Sequence, residues 1–168
     1  IKGKISEMDN NTISEKAAEI IRLVNEWEPR LLSLSEKVIS ERVNIQNRSI
    51  RQITGHMVDS ASNNTHRVVH LQYQPSPLVF PNYATEGNND RWIAIQNYQK
   101  EDWTNLVGLW KYSMLHFAHV IRNVQLEKLD YEWIAAPGTT VSLSSMIADF
   151  NRHLQLHLDE ITGLINIQ

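Results

Sequence analysis

Four stretches of about twenty residues place apolar side chains three and four positions apart, and that periodicity constrains the fold more than any other feature of the chain. The first runs from about Thr12 to Leu34 on Ile13, Ala17, Ile20, Val24, Trp27 and Leu31. Pro29 falls inside it and predicts a kink or a fresh turn, because an interior proline removes a backbone donor and crowds the preceding turn. The second opens at Ser49, where Ser-Ile-Arg-Gln has the form of a reciprocal capping box. It passes through Ile53, Met57, Ala61, Val68 and Leu71 to about Tyr73, and Pro75 and Pro77 stop it. The third starts near Glu101 or Asp102 and carries Trp103, Leu106, Val107, Trp110, Met114, Phe117, Ala118 and Ile121. The fourth follows Pro137-Gly138, caps at Ser142 and carries Leu143, Met146, Ile147, Phe150, Leu154, Leu158, Ile161 and Ile165.

The connections are uneven. Pro75 to Asp90 is rich in Pro, Asn and Gly and reads as a loop, and Arg91 to Gln99 as a short helix or turn. Leu126 to Thr140 reads as irregular, with Tyr131 to Ile134 able to run extended. No repeat, low-complexity tract or linker divides the chain. The expectation is therefore one all-α domain over residues 1–168: a four-helix bundle with long connections between helices two and three and between three and four.

Composition removes several classes of function. The chain has no cysteine, which excludes thiolate zinc sites, iron–sulfur clusters, a protein thiol nucleophile and a disulfide scaffold. A net charge of −3 with no basic stripe argues against nucleic-acid binding. No apolar run approaches the roughly 18 to 20 residues of a membrane span. The amino-terminal IKGKISEMDNN lacks the charged-then-apolar pattern of a leader. A cytoplasmic setting away from membranes is expected.

Seven histidines are left as the unusual feature, and helix geometry sorts them. Each residue turns roughly 100° around a helix axis. With Phe150 at zero, His157 falls at roughly −20°, inside the apolar stripe of the fourth helix, and His153 at roughly −60°, on its edge. Four residues apart on one face, they have the spacing of two ligands to one metal ion. With Ile53 at zero, His56 also falls at roughly −60°, and Ser60, Asn63 and Arg67 lie on the same side of that helix. Such an inward polar stripe costs stability unless it is paired or binds something. His66, His116 and His119 point outward, and His70 sits at a border. Three neutral imidazoles with no protein carboxylate leave an open position on a divalent ion, the mark of a catalytic rather than a structural site. The plainer reading of each is a histidine satisfied within the core.

The residues around these histidines resemble a known family. Ile53-Thr-Gly-His-Met-Val-Asp-Ser60 is similar to the helix-two motif of the DinB/YfiT-like proteins, with Met57 in place of the usual Leu, a near volume-conserving change. Asn63-Asn64-Thr-His-Arg67 resembles the continuation in one branch. Phe80-Pro-Asn-Tyr83, Trp92 and Gln96-Asn-Tyr-Gln99 resemble the long connection, and Thr140-Val-Ser-Leu143 leading to His153-x-x-x-His157 the closing helix. The resemblance implies a four-helix bundle with one divalent metal, Zn2+ or Ni2+, held by His56, His153 and His157. It further implies a small-molecule substrate and a metal-dependent enzyme, foremost a transferase that moves a low-molecular-weight thiol cosubstrate to an electrophile. The alternatives are a metal-dependent hydrolase and a non-catalytic metal-binding protein of the damage-inducible kind.

Several residues have two readings each. Arg67, three turns beyond His56, is either an anchor for a substrate carboxylate or half of a buried ion pair. Asp59 and Asp149, each one turn from a proposed ligand, either orient an imidazole or lie on solvated helix faces. Asn63 and Tyr98 are candidates for substrate contact, and Tyr83, Trp92 and Tyr98 for a pocket wall or plain core aromatics. Leu109, Leu115 and Val120 lie off the core stripes, and relatives pair two-fold, so a homodimer is expected.

Overall fold

The computed structural model describes residues 8–167, so the first seven residues of the segment read for a leader lie outside it. Each apolar stripe is a helix, and each starts at a side chain that satisfies the free N–H groups of a first turn. The Asp9 carboxylate accepts from the Thr12 N–H at 2.7 Å at the head of α1 (Asn10–Leu32). Both halves of the Ser49–Gln52 capping box form, before the helix Ile50–Leu71. Asp102 caps the helix Trp103–Arg122 at 2.9 Å, and Ser142 caps the helix Leu143–Ile165 at 3.1 Å.

Three elements depart from the sequence expectation. Pro29 does not break α1, which runs on to Leu32. Pro29 and Asn25 are both exposed, so the carbonyl that loses its partner faces water. A six-residue helix, α2 (Glu36–Glu41), follows it, too short to show a period. In chain order, Ile50–Leu71 is therefore α3, the short piece Asn88–Gln96 is α4, Trp103–Arg122 is α5 and Leu143–Ile165 is α6. The connection read as irregular, with Tyr131 to Ile134 able to run extended, is a hairpin: that extended piece is in β1 (Glu132–Ala136), and the unforeseen part is its pairing with β2 (Thr139–Ser142) across a turn at Gly138 with φ +73°. Glycine adopts that angle without penalty.

The four long helices close a ring in which α1 packs on α5 and α6, and α3 packs on α5 and α6. α1 and α3 thus stand diagonally across the bundle, as do α5 and α6, while α3 and α5 lie side by side. Their apolar faces meet in one core that includes Trp110 and Phe117, the latter against Phe150 with ring centroids 4.0 Å apart. This order has one functional consequence: α3 and α6, the helices with inward histidines, are neighbours. Of the side chains read as lying off the core, Leu109 is exposed, while Leu115 and Val120 pack partly against it.

The two long connections are laced together over the α3 end of the bundle. The Leu78 N–H donates to the Glu132 carbonyl at 2.7 Å, and the Ile134 N–H to the Leu78 carbonyl at 3.0 Å. The Trp133 indole donates to the Phe80 carbonyl at 2.9 Å, and the Asn82 amide to the Ala135 carbonyl at 3.0 Å. Tyr83 and Trp133 are thereby fixed beside α3.

Candidate metal centre

His56 on α3 meets His153 and His157 on α6. One ligand nitrogen from each lies within 4.8 Å of the others. The ring centroids are 4.8 Å apart for His56–His157, 5.6 Å for His56–His153 and 4.5 Å for His153–His157. His56 and His157 are buried, and His153 is partly so. His66, His116 and His119 are exposed, as their angles around the helices imply. His70 is half-buried and bonds the Tyr73 hydroxyl at 2.6 Å.

The electrostatics keep all three rings neutral. Burial pushes His56 from 6.5 down to about 2, with His157, His153 and Arg48 adding to it. Burial, reinforced by His157, lowers His153 to about 4. His157 is also lowered by burial, against the opposing pull of the Glu160 carboxylate. A neutral imidazole has a free lone pair, the condition for ligating a metal.

Second partners settle which nitrogen is free. The His157 Nδ1–H donates to the Glu160 carboxylate at 2.8 Å. That leaves its Nε2 lone pair facing His153 Nε2 at 3.1 Å. Two ligands about 2.05 Å from one tetrahedral ion lie about 3.3 Å apart, so the spacing suits a shared cation. Ser60 Oγ lies 3.4 Å from His153 Nδ1. His56 Nδ1 is buried with no hydrogen-bond partner among the described residues, a cost an ion or a moved neighbour would remove. The donor set fits a divalent transition-metal cation.

The carboxylates sort between the two readings open to them, and a third one enters. Glu160, not Asp59 or Asp149, holds an imidazole, and the signal was there to read: it lies three residues after His157, on the same face of α6. Asp149 is on the solvated face, paired with Arg152 at 2.6 and 3.1 Å, which holds its carboxyl below the usual range. Asp59 is buried, and its Oδ1 accepts from the Tyr98 hydroxyl at 2.7 Å and the Gln96 amide at 2.8 Å. Its Oδ2 has no partner, and burial raises its pKa. Neither Asp orients a histidine through a hydrogen bond.

The substrate-contact candidates separate as well. Tyr98 is buried with its hydroxyl engaged by Asp59, so it braces α3 instead of facing a cavity. The Asn63 amide donates to the Asp59 carbonyl at 2.9 Å, within its own helix. Tyr83 walls the histidines, with its ring 6.3 Å from His56 and 5.4 Å from the partly exposed Trp92. Arg67 is buried, without an ion pair among the described residues: its guanidinium carbon stacks 3.9 Å from the Trp133 ring and 5.7 Å from Tyr83. Sequence reasoning passed over Arg48, which is buried and forms a 2.6 Å ion pair with Asp90. It lies outside any helix, so no periodicity marks its direction.

No family model matches this chain, and no curated protein matches it. Among solved structures it is similar to YfiT from Bacillus subtilis, described as a probable metal-dependent hydrolase with an unusual four-helix bundle topology. The two superpose with a TM-score of 0.81 over 98% of this chain and 91% of that one, at 13% sequence identity. At that identity the likeness speaks for the backbone: the chain has the YfiT four-helix bundle fold.

Proposed function

We propose that this chain is a metal-dependent enzyme acting on a small molecule, with His56, His153 and His157 as the protein ligands of one divalent ion, Zn2+ or Ni2+. The observation that carries the reading is the meeting of three neutral imidazoles from two helices within 4.8 Å, two of them buried and one partly so, and one held by a carboxylate. An ion with three uncharged ligands keeps its full charge and acts as a Lewis acid, making a water or thiol beside it more acidic. The residues around it prepare that setting. Glu160 fixes the tautomer and direction of His157, an arrangement that also strengthens the ring as a ligand. Tyr83 covers the centre on the His56 side and keeps it from bulk water. Burial holds the rings unprotonated through the neutral range.

The favoured reaction is transfer of a low-molecular-weight thiol to an electrophile, for which the sequence resemblance argues. The absence of cysteine means that the sulfur comes from a cosubstrate. Hydrolysis is the second reading, supported by the description of YfiT. The test is elemental analysis of the purified protein at neutral pH, with His157→Ala expected to abolish bound metal and His119→Ala to leave it nearly unchanged. Equal metal content in wild type and His157→Ala refutes the centre. Turnover of electrophiles with and without added thiols then separates transferase from hydrolase.

A further inference from the structure

We propose that Arg67 is the receptor for a carboxylate on the substrate, gripped through the Nε–Nη2 edge of the guanidinium between Tyr83 and Trp133. The reasoning starts from a contrast among three arginines on or beside α3. Arg48, Arg51 and Arg67 are all buried. Arg48 pairs with Asp90 and Arg51 with Glu36, each at 2.6 Å. Arg67 has no ion pair among the described residues, and its Nε and Nη2 are buried with no hydrogen-bond partner. Arginine is almost never buried so fully without a partner, because its charge and donors lose water and gain nothing in return.

Stacking does not fill that gap. The Trp133 ring, 3.9 Å from the guanidinium carbon, engages a face of the group. The N–H bonds lie in the plane and stay unspent. Nε and Nη2 form one edge of the fork, with two parallel donors at the spacing of carboxylate oxygens. The charge count selects the same ligand. Arg67 supplies one positive charge, and the nearby Arg48 is already neutralised by Asp90. One free charge between apolar rings suits a monoanion better than a phosphate dianion.

The site is built rather than incidental. Trp133 and Tyr83 come from the two long connections, which hydrogen-bond to each other through Leu78, Phe80 and Asn82. Tyr83 lies 5.7 Å from the Arg67 guanidinium and 6.3 Å from the His56 ring, so one aromatic ring borders both groups. A small molecule with its carboxylate on Arg67 would extend past Tyr83 toward the histidines. The proposal rests on the metal reading only for where the reacting end lies; the Arg67 receptor stands without it.

The experiment titrates acetate, benzoate, benzamide and inorganic phosphate into the full chain, zinc-loaded and chelator-treated, following tryptophan fluorescence and heat. The expected result is that at least one of the two carboxylates binds in both preparations. Benzamide should bind at least tenfold more weakly than benzoate, and phosphate more weakly than the carboxylates. Arg67→Met should lose tenfold or more in carboxylate affinity with its zinc content unchanged, and Arg67→Lys should fall between. Failure of both carboxylates to bind, benzamide matching benzoate, phosphate binding more tightly, or unchanged binding by Arg67→Met each overturns the proposal. So does carboxylate binding that needs zinc and vanishes in His157→Ala. If Arg67→Met does not fold, Arg67→Lys and the benzoate–benzamide comparison on the unaltered chain decide. Loss of metal with carboxylate binding intact would instead count against the metal centre alone.

Discussion

Gly55 precedes His56 in α3, and a Cβ placed on it would overlap the Tyr98 ring. Replacing it with alanine therefore reverses the usual sign of a glycine-to-alanine change inside a helix. That change ordinarily gains up to about 1 kcal/mol. Here the ring must move, and overpacking of this kind costs about 1–3 kcal/mol. Moving it also breaks the 2.7 Å bond from the Tyr98 hydroxyl to Asp59, leaving a buried carboxyl short of a partner, a further loss of about 1–3 kcal/mol. The net expectation for Gly55→Ala is a destabilisation of about 1–6 kcal/mol. Gly108 in α5 is the internal control, because a Cβ there meets nothing within 4 Å. Gly108→Ala should stabilise by up to about 1 kcal/mol. Urea unfolding followed by circular dichroism measures both. In a Tyr98→Ala background the Gly55→Ala cost should vanish, since the space it needs is open. A Gly55→Ala protein as stable as wild type, or one whose cost is the same in both backgrounds, refutes the reasoning.

Three further outcomes follow from the centre. Glu160→Ala frees the His157 Nδ1–H, and metal affinity measured by chelator competition should fall about 10–100-fold while the helical spectrum is kept. Without metal, stability should fall with acid. His153 titrates near 4 when folded and 6.5 when unfolded, so between those values the unfolded chain binds the extra proton. By pH 4 that single group costs about 3 kcal/mol, at about 1.4 kcal/mol per unit. Asp59, raised by burial, works the other way. Thermal melts of chelator-treated protein from neutral pH downward test this, and a flat profile contradicts it. Chelation at neutral pH should lower the melting temperature, by an amount that at a free ion level 100 times Kd corresponds to about 2.7 kcal/mol. The protein should remain helical, because the four helices also share a core of apolar side chains that does not depend on the ion.

Much of this was written in local sequence. Spacings of three and four residues mark a helix because only that period keeps Ile13 to Leu31, or Leu143 to Ile161, on one side. Ser49, Asp102 and Ser142 mark where helices begin because a side-chain oxygen must satisfy the free N–H groups there. The same angular arithmetic separates inward His56, His153 and His157 from exposed His66, His116 and His119.

What local pattern leaves open is the partner. An apolar stripe says which face a helix buries, not against which neighbour, and the segment carrying α2 lets α1 and α3 stand diagonally. Only that arrangement sets His56 beside residues about a hundred positions away. Asp59 shows the same limit. Its spacing from His56 invited a role in orienting that ring, yet its carboxylate is held by Tyr98 and Gln96, from a segment roughly forty residues on. Arg67 shows it most clearly. Its place on the polar stripe of α3 was legible, but whether a carboxylate waited for it depended on what the two long connections carried past it. They brought the rings of Trp133 and Tyr83 and, among the described residues, no ion-pair partner for its guanidinium. Periodicity is a property of one helix, whereas a missing partner is a property of everything packed around a side chain, and only the tertiary structure determines that.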